Sequence, residues 1–169
     1  MLRLFLLRHA KSSWAEAGVK DFDRGLNERG NSDLPKIAAM MKDRGYLPRQ
    51  IFCSPARRAR ITLHGIMQAY SEPPNIDYID RLYSGDADAY INCLRIHSRD
   101  EPVMFIGHNP SLMEVAQVLV RNGDPGPLEI LSRKYPTGAL AVIDFEMAQW
   151  SELGPASGFL SDFVIPADL

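Results

Sequence analysis

Met1-Leu2-Arg3-Leu4-Phe5-Leu6-Leu7-Arg8-His9-Ala10-Lys11 decides the fold: residues 2–7 are almost continuously apolar, and the run gives out at an arginine and a histidine. An apolar run of this length fits a strand covered on both faces, as in the interior of a mostly parallel sheet with helices on either side. The charged end matters for a second reason. Open α/β sheets bind ligands outside the carboxyl ends of their strands, which is where Arg8 and His9 stand. A neutral imidazole can attack phosphorus and carry the phosphoryl group covalently, and a guanidinium offers a planar fork of donors that fits phosphate oxygens. The same dipeptide also fits a strand-terminal His satisfied by a backbone carbonyl beside a solvated Arg, so the choice falls to the rest of the chain.

Outward from this strand the pattern recurs. Gln50-Ile51-Phe52-Cys53 reads as a second strand, and Ser54-Pro55-Ala56 as the N-cap and first-turn proline of a helix running to about Tyr70. Residues 102–107 form a buried strand that ends at His108-Asn109, and Pro110-Ser111 starts a helix to about Arg121. Between the first two strands, Asn27-Glu28-Arg29-Gly30 opens a helix carrying Leu34, Ile37, Ala38, Met41 and Tyr46 at helical spacing, closing near Gly45 and Pro48. A weaker strand is expected over 76–79, and Ser84-Gly85-Asp86 caps a helix through Ile91, Leu94 and Arg95. After a Gly/Pro-rich stretch at 122–127, residues 138–146 read as a strand and 158–165 as an edge strand. This alternation predicts an α/β fold, a three-layer α/β/α sandwich with a mixed, mostly parallel central sheet. With no repeat and no long linker, residues 1–169 are expected to form a single domain.

A chain of 169 residues can bury a substantial core without disulfides or a structural metal. Its formal net charge of −2, with both signs interspersed, predicts neither a nucleic-acid surface nor a polybasic membrane anchor. Cys53 and Cys93 have no CxxC spacing and no Cys/His cluster, so they read as reduced, buried thiols of a cytoplasmic protein. The apolar opening is too short to span a bilayer and lacks a signal-peptide cleavage pattern. No metal-ligand spacing is visible, and no cofactor is expected.

Three strand ends carry the chemistry: Arg8 and His9, the turn from Ser54 to Arg58, and His108. A parallel sheet brings such ends to one edge, where they can line one pocket. Helix N-termini expected at Pro55 and Pro110 would add unpaired N–H groups and positive dipole ends. Such a pocket suits a phosphate. Clustered positive charge should also lower the pKa of His9, keeping it neutral and able to attack, and should stabilise the phosphoryl oxygens in the transition state.

Leu6-Leu7-Arg8-His9-Ala10, Ser54-Pro55-Ala56-Arg57-Arg58-Ala59 with Thr62, and Gly107-His108-Asn109-Pro110 together resemble the signature segments of the histidine phosphatase (phosphoglycerate mutase-like) superfamily. Within it the chain is similar to the SixA-type phosphohistidine phosphatases. Further pieces are Lys11-Ser12-Ser13-Trp14, residues 23–30, Arg81-Leu82-Tyr83 and Pro136-Thr137-Gly138-Ala139-Leu140. The resemblance implies that His9 becomes phosphohistidine, that Arg8 and Arg58 clamp the phosphate, and that His108 hydrogen-bonds the transferred group. It places Arg24 where such proteins carry a further phosphate-contacting arginine; the alternative for Arg24 is an ion pair with Asp21 or Asp23. Arg57 lies one position before the clamp and reads as a solvated helix residue. Ser12 and Asn109 are further candidate substrate contacts, Ser13 less directly; Asn109 could instead orient His108 or cap the next helix. His64 and His97 fall inside helices, away from any strand end. Gly25 stands in place of the proline usual before Leu26, Leu34 where a small residue is common, and Ile61 in place of the polar residue usual before Thr62.

The expected activity is removal of phosphate from phosphohistidine on a protein, such as a phosphotransfer protein, through a covalent phosphohistidine intermediate and without metal. The alternatives are a small-molecule phosphomonoesterase on the same fold and a non-catalytic phosphate-binding module. A phosphomonoester releases an alkoxide and gains from a general acid; Asp80, Asp86 and Asp88 are nearby in sequence, and Asp86 is either a proton donor or the N-cap of its helix. A labile N–P bond with an imidazole leaving group needs less help. Little chain remains to build a lid, which favours a protein-borne phosphate. A monomer or weak oligomer is expected.

Overall fold

The computed structural model describes residues 1–14 and 16–169, and in it the opening apolar run is strand β1, Leu2–Arg8. It is followed by α1 (Glu28–Arg44), β2 (Gln50–Cys53), α2 (Arg57–Ile66), β3 (Asn75–Tyr78), α3 (Arg81–Ser84), α4 (Ala87–His97) and β4 (Val103–Gly107). The chain ends with α5 (Ser111–Leu119), β5 (Val120–Gly123), α6 (Pro125–Arg133), β6 (Leu140–Phe145) and β7 (Gly158–Val164). Among the described residues the sheet has 7 strands in the order β3-β2-β4-β1-β6-β7-β5. β1, β2, β3 and β4 pair in parallel, as do β5 and β7, whereas β6 runs against both of its neighbours. The sheet is therefore mixed and mostly parallel, as expected.

The continuous apolar character of β1 has its cause in two cores. Leu4 and Leu6 join one cluster, with Val103 and Phe105 of β4, Tyr90 and Leu94 of α4, and Leu112 and Val115 of α5. Phe5 and Leu7 point the other way, to Met104 and Ile106 of β4, Ile37 and Met41 of α1, and Leu63 and Ile66 of α2. Successive side chains alternate across a strand, so a strand sandwiched between two helical layers needs apolar residues at every position.

The helix ends follow local chemistry. Asn27 caps α1 by accepting the Gly30 N–H at 2.9 Å, and Gly45 ends it in the left-handed region at φ 68°. Four expectations are corrected. The helix after β2 starts at Arg57, not at Ser54-Pro55, because Ala56, at φ −56° and ψ 140°, lies outside the helical region and stands as the N-cap. The helix after Pro110 ends at Leu119, and residues 120–123 become β5, an edge strand whose partner, β7, is far away in sequence. The strand at 158–164 is consequently interior, and the Gly/Pro-rich stretch conceals the start of α6, with proline in its first turn.

Candidate active site

The order β2-β4-β1 puts the three chemistry-bearing strand ends side by side, with Arg8 opposite Gly107 and Cys53 opposite Ile106. The ladder continues past the strands: His9 N–H donates to Gly107 O at 3.1 Å and Ser54 N–H to Ile106 O at 2.9 Å. The rings of His9 and His108 consequently lie 5.2 Å apart between centroids. The segment before β6 fixes the other side. Gly138, at φ 74°, turns its N–H to the carbonyls of Arg8 and His9 at 3.1 and 3.0 Å, and Ala139 O accepts the Arg8 N–H at 3.0 Å.

His9 is 6% exposed, and its Nδ1 lies 2.8 Å from Ala10 O. A carbonyl can only accept, so Nδ1 carries the ring proton and Nε2 keeps its lone pair. The His9 pKa is lowered to about 3, first by burial, with His108, Arg58 and Arg8 acting in the same direction against the Ala10 bond. The expected direction therefore holds, but desolvation leads and the positive cluster follows. The loop is tied to α2 through Thr62, whose Oγ1 accepts the Ala10 N–H at 3.0 Å and donates to Arg58 O at 2.8 Å.

His108 Nε2 sits 2.7 Å from Ser54 Oγ, which also accepts the Ala56 N–H at 3.2 Å. His108 Nδ1 is buried without a partner among the described residues. Burial, then Arg58, lowers the His108 pKa to about 4.

Arg8 donates from Nη1 to Tyr135 O at 2.8 Å. Arg58, 6% exposed, donates from Nη1 to Asp21 O at 2.8 Å and from Nη2 to Asp21 Oδ2 at 3.1 Å. Arg24 pairs with Asp21 Oδ1 through Nε at 3.0 Å and Nη2 at 2.8 Å, and its Nη1 reaches Ser12 Oγ at 3.2 Å and Ser13 O at 2.6 Å. The ion pair expected as the alternative for Arg24 is thus formed, and it ties Arg24 to Arg58 through one carboxylate. Tyr83 O–H donates to Asp21 Oδ2 at 2.7 Å, and that bond leads in holding the Asp21 carboxyl far below the usual range.

Other candidates fall away from these groups. Asp86 Oδ1 accepts the Ala89 N–H at 3.2 Å as the N-cap of α4, so its side chain is committed to the helix. Asn109 neither caps α5 nor bonds His108; its Nδ2 donates to Tyr135 O at 3.1 Å, anchoring the same carbonyl as Arg8. The helix dipole expected at Pro55 begins instead at Arg57, whose own side chain is exposed. His64 and His97 are exposed on α2 and α4. The large Leu34 is accommodated by Gly65, where an added Cβ would lie 2.5 Å from Leu34 Cδ1. Gly25 lies against Arg57 and Ile61, so two of the departures from the pattern meet outside the histidine pair. No group of three or more His, Cys, Asp or Glu that could hold a metal occurs among the described residues, and no helix among them is long and apolar enough to cross a membrane.

Tyr83 and Tyr135 are site residues to which the sequence assigned no role, Asp21 entered only as a partner for Arg24, and Ser54 only as a helix cap. Asp21 and Tyr83 are 62 positions apart, and no periodicity links them. The acid beside Arg24 and the aromatic in Arg81-Leu82-Tyr83 were the available signals.

Residues 4–83 match the family profile of the histidine phosphatase superfamily (branch 1). An uncharacterized chloroplastic protein of Arabidopsis thaliana is 35% identical over 128 residues, 69% of this chain and 58% of that protein. The chain thus spans well under two thirds of the length of this relative. A structure solved as a candidate phosphohistidine phosphatase SixA from Agrobacterium tumefaciens superposes with TM-score 0.82 at 34% identity, covering 97% of both chains. The protein histidine phosphatase SixA complexed with tungstate shares the fold, with TM-score 0.76 at 20% identity and 98% of both chains covered.

Proposed function

The chain belongs to the histidine phosphatase superfamily and is of the SixA type, and from that premise we propose that it removes phosphate from phosphohistidine on a protein, with His9 as the nucleophile. The observation that carries this reading is the His9 ring: proton fixed on Nδ1 by Ala10 O, pKa lowered to about 3, and Nε2 left with its lone pair beside two arginines.

In the first step the Nε2 lone pair attacks phosphorus while Arg8 and Arg58 hold the phosphoryl oxygens. The bond from phosphorus to the substrate imidazole breaks, and its electron pair returns to that ring, which takes a proton from solvent. In the second step water attacks phosphorus, orthophosphate leaves, and His9 is neutral again. Transfer of this kind rests on positioning and charge stabilisation, and no metal enters either step. His108 serves as a hydrogen-bond donor. His108 Nε2 meets Ser54 Oγ, and Nδ1 is the buried nitrogen that lacks a partner.

The engagement of Asp86 and Asp21 favours phosphohistidine over an alkyl phosphomonoester. Asp86 is spent as a helix cap, and Asp21 is held ionised far below neutrality, so Asp21 has no proton to give an alkoxide. The test compares turnover of a histidine-phosphorylated phosphotransfer protein with that of sugar phosphates and phosphoglycerates. Faster release from the protein is expected; robust release from the metabolites with none from the protein would defeat the reading.

A further inference from the structure

We propose that Asp21 is a positioning residue for the phosphate site: its carboxylate, tied by Tyr83, holds the guanidinium groups of Arg58 and Arg24 ready for an oxyanion. This rests on the phosphatase reading above and adds a residue to it.

Both Asp21 carboxylate oxygens are engaged. Oδ1 takes two N–H groups of Arg24, at 3.0 and 2.8 Å, and Oδ2 takes Arg58 Nη2 at 3.1 Å and Tyr83 O–H at 2.7 Å. The Asp21 carbonyl takes Arg58 Nη1 at 2.8 Å. Arg58 is thus gripped at the far end of its fork, and its Nε is buried without a partner among the described residues. Arg8 repeats the arrangement, with Nη1 on Tyr135 O and a buried, unpartnered Nε. Leaving a buried N–H unpaired costs free energy, and the bonds of the terminal nitrogens hold each guanidinium in place against it. Two arginines, each anchored by a backbone carbonyl, are thus ordered before an anion arrives.

Asp21 grips Arg58 by both terminal nitrogens, its carbonyl on Nη1 and its carboxylate on Nη2. Its contribution is to remove side-chain freedom. A free arginine loses about as much rotamer entropy on being ordered as any side chain, and here that ordering precedes binding. Two aromatic contacts brace the arrangement: Arg58 Cζ lies 5.9 Å from the centre of the Tyr83 ring, and Phe22 meets that ring edge-on at 5.1 Å. The Tyr83 ring in turn stands 5.7 Å from that of His108.

The experiment measures orthophosphate affinity by calorimetry and kcat and KM on p-nitrophenyl phosphate for the native protein, Asp21→Ala, Asp21→Glu, Tyr83→Phe, Arg58→Ala and the Asp21→Ala/Arg58→Ala pair. Asp21 is 54% exposed on a short turn, so its variants keep the fold. Asp21→Ala should weaken orthophosphate binding and raise KM about ten- to a hundredfold, the range for a lost charge-assisted hydrogen bond. Tyr83→Phe should do so a fewfold, Asp21→Glu should restore part of the loss, and Asp21→Ala should cost little once Arg58 is gone. Orthophosphate bound as tightly or more tightly by Asp21→Ala would make the carboxylate a bystander or a competitor and overturn the proposal. So would a fall in kcat with KM and affinity unchanged. A native protein that neither binds orthophosphate nor turns over p-nitrophenyl phosphate would instead remove the phosphatase reading, and the proposal with it.

Discussion

His9 and His108 are two imidazoles kept neutral by burial, and this has a cost that can be measured. Each has a folded pKa, about 3 and about 4, far below the usual value near 6.5. As pH falls below 6.5 the unfolded chain takes up protons that the folded chain refuses, so stability is complete above that pH and declines toward pH 3 to 4. Between pH 7 and pH 5 each histidine should cost roughly 2 kcal/mol. Urea unfolding at the two pH values, native against a His9→Asn/His108→Asn double variant, reads this directly. A native protein as stable at pH 5 as at pH 7, relative to that variant, would contradict it. Nitrogen NMR of the His9 ring should likewise show Nε2 unprotonated at pH 6. The position of both histidines was legible from two strand endings. The leading cause of their neutrality was not, because burial depends on layers assembled from the whole chain.

At the scale of elements, the site is a set of loops pinned to one another. Thr62 joins the loop after β1 to α2 through Ala10 N–H and Arg58 O, so Thr62→Val should remove both bonds and cost about 1–3 kcal/mol. Gly30 touches the same loop: an added methyl would strike the Lys11 carbonyl, a backbone atom that cannot turn aside. Gly30→Ala should therefore cost about 1–3 kcal/mol and lower turnover by displacing His9. A melting temperature and a rate both equal to native would show the approach to be slack. Strands β1, β2 and β4 were readable because each is a short apolar run with a sharp stop. α6 was hidden by its own prolines and glycine; β5 was misread because its partner is distant in sequence. Val118-Leu119-Val120 looks like a helix continuing, and only pairing of Val120 with Gly158 makes it the start of a strand. Likewise the contact of Ser54 Oγ with His108, 54 positions away, adds to its local bond with the Ala56 N–H and has no local signal.

For the whole molecule, the two cores are not independent. β1 and β4 send alternate residues into each, so neither layer can leave without exposing the other face of the same strands. A single cooperative calorimetric transition follows, with calorimetric and van't Hoff enthalpies in agreement; two resolved transitions would mean that the layers are separable. The same central strands carry Arg8, His9 and His108 at their ends, which is why the nucleophile, its partner imidazole and the first clamp sit on the most buried part of the fold. The central claim is that His9 Nε2 takes the phosphoryl group. Brief incubation with a radiolabelled phosphohistidine protein, an alkaline quench and peptide mapping should place the label on His9, with none trapped and no turnover in His9→Ala; label on another residue, or full activity in that variant, would contradict the account.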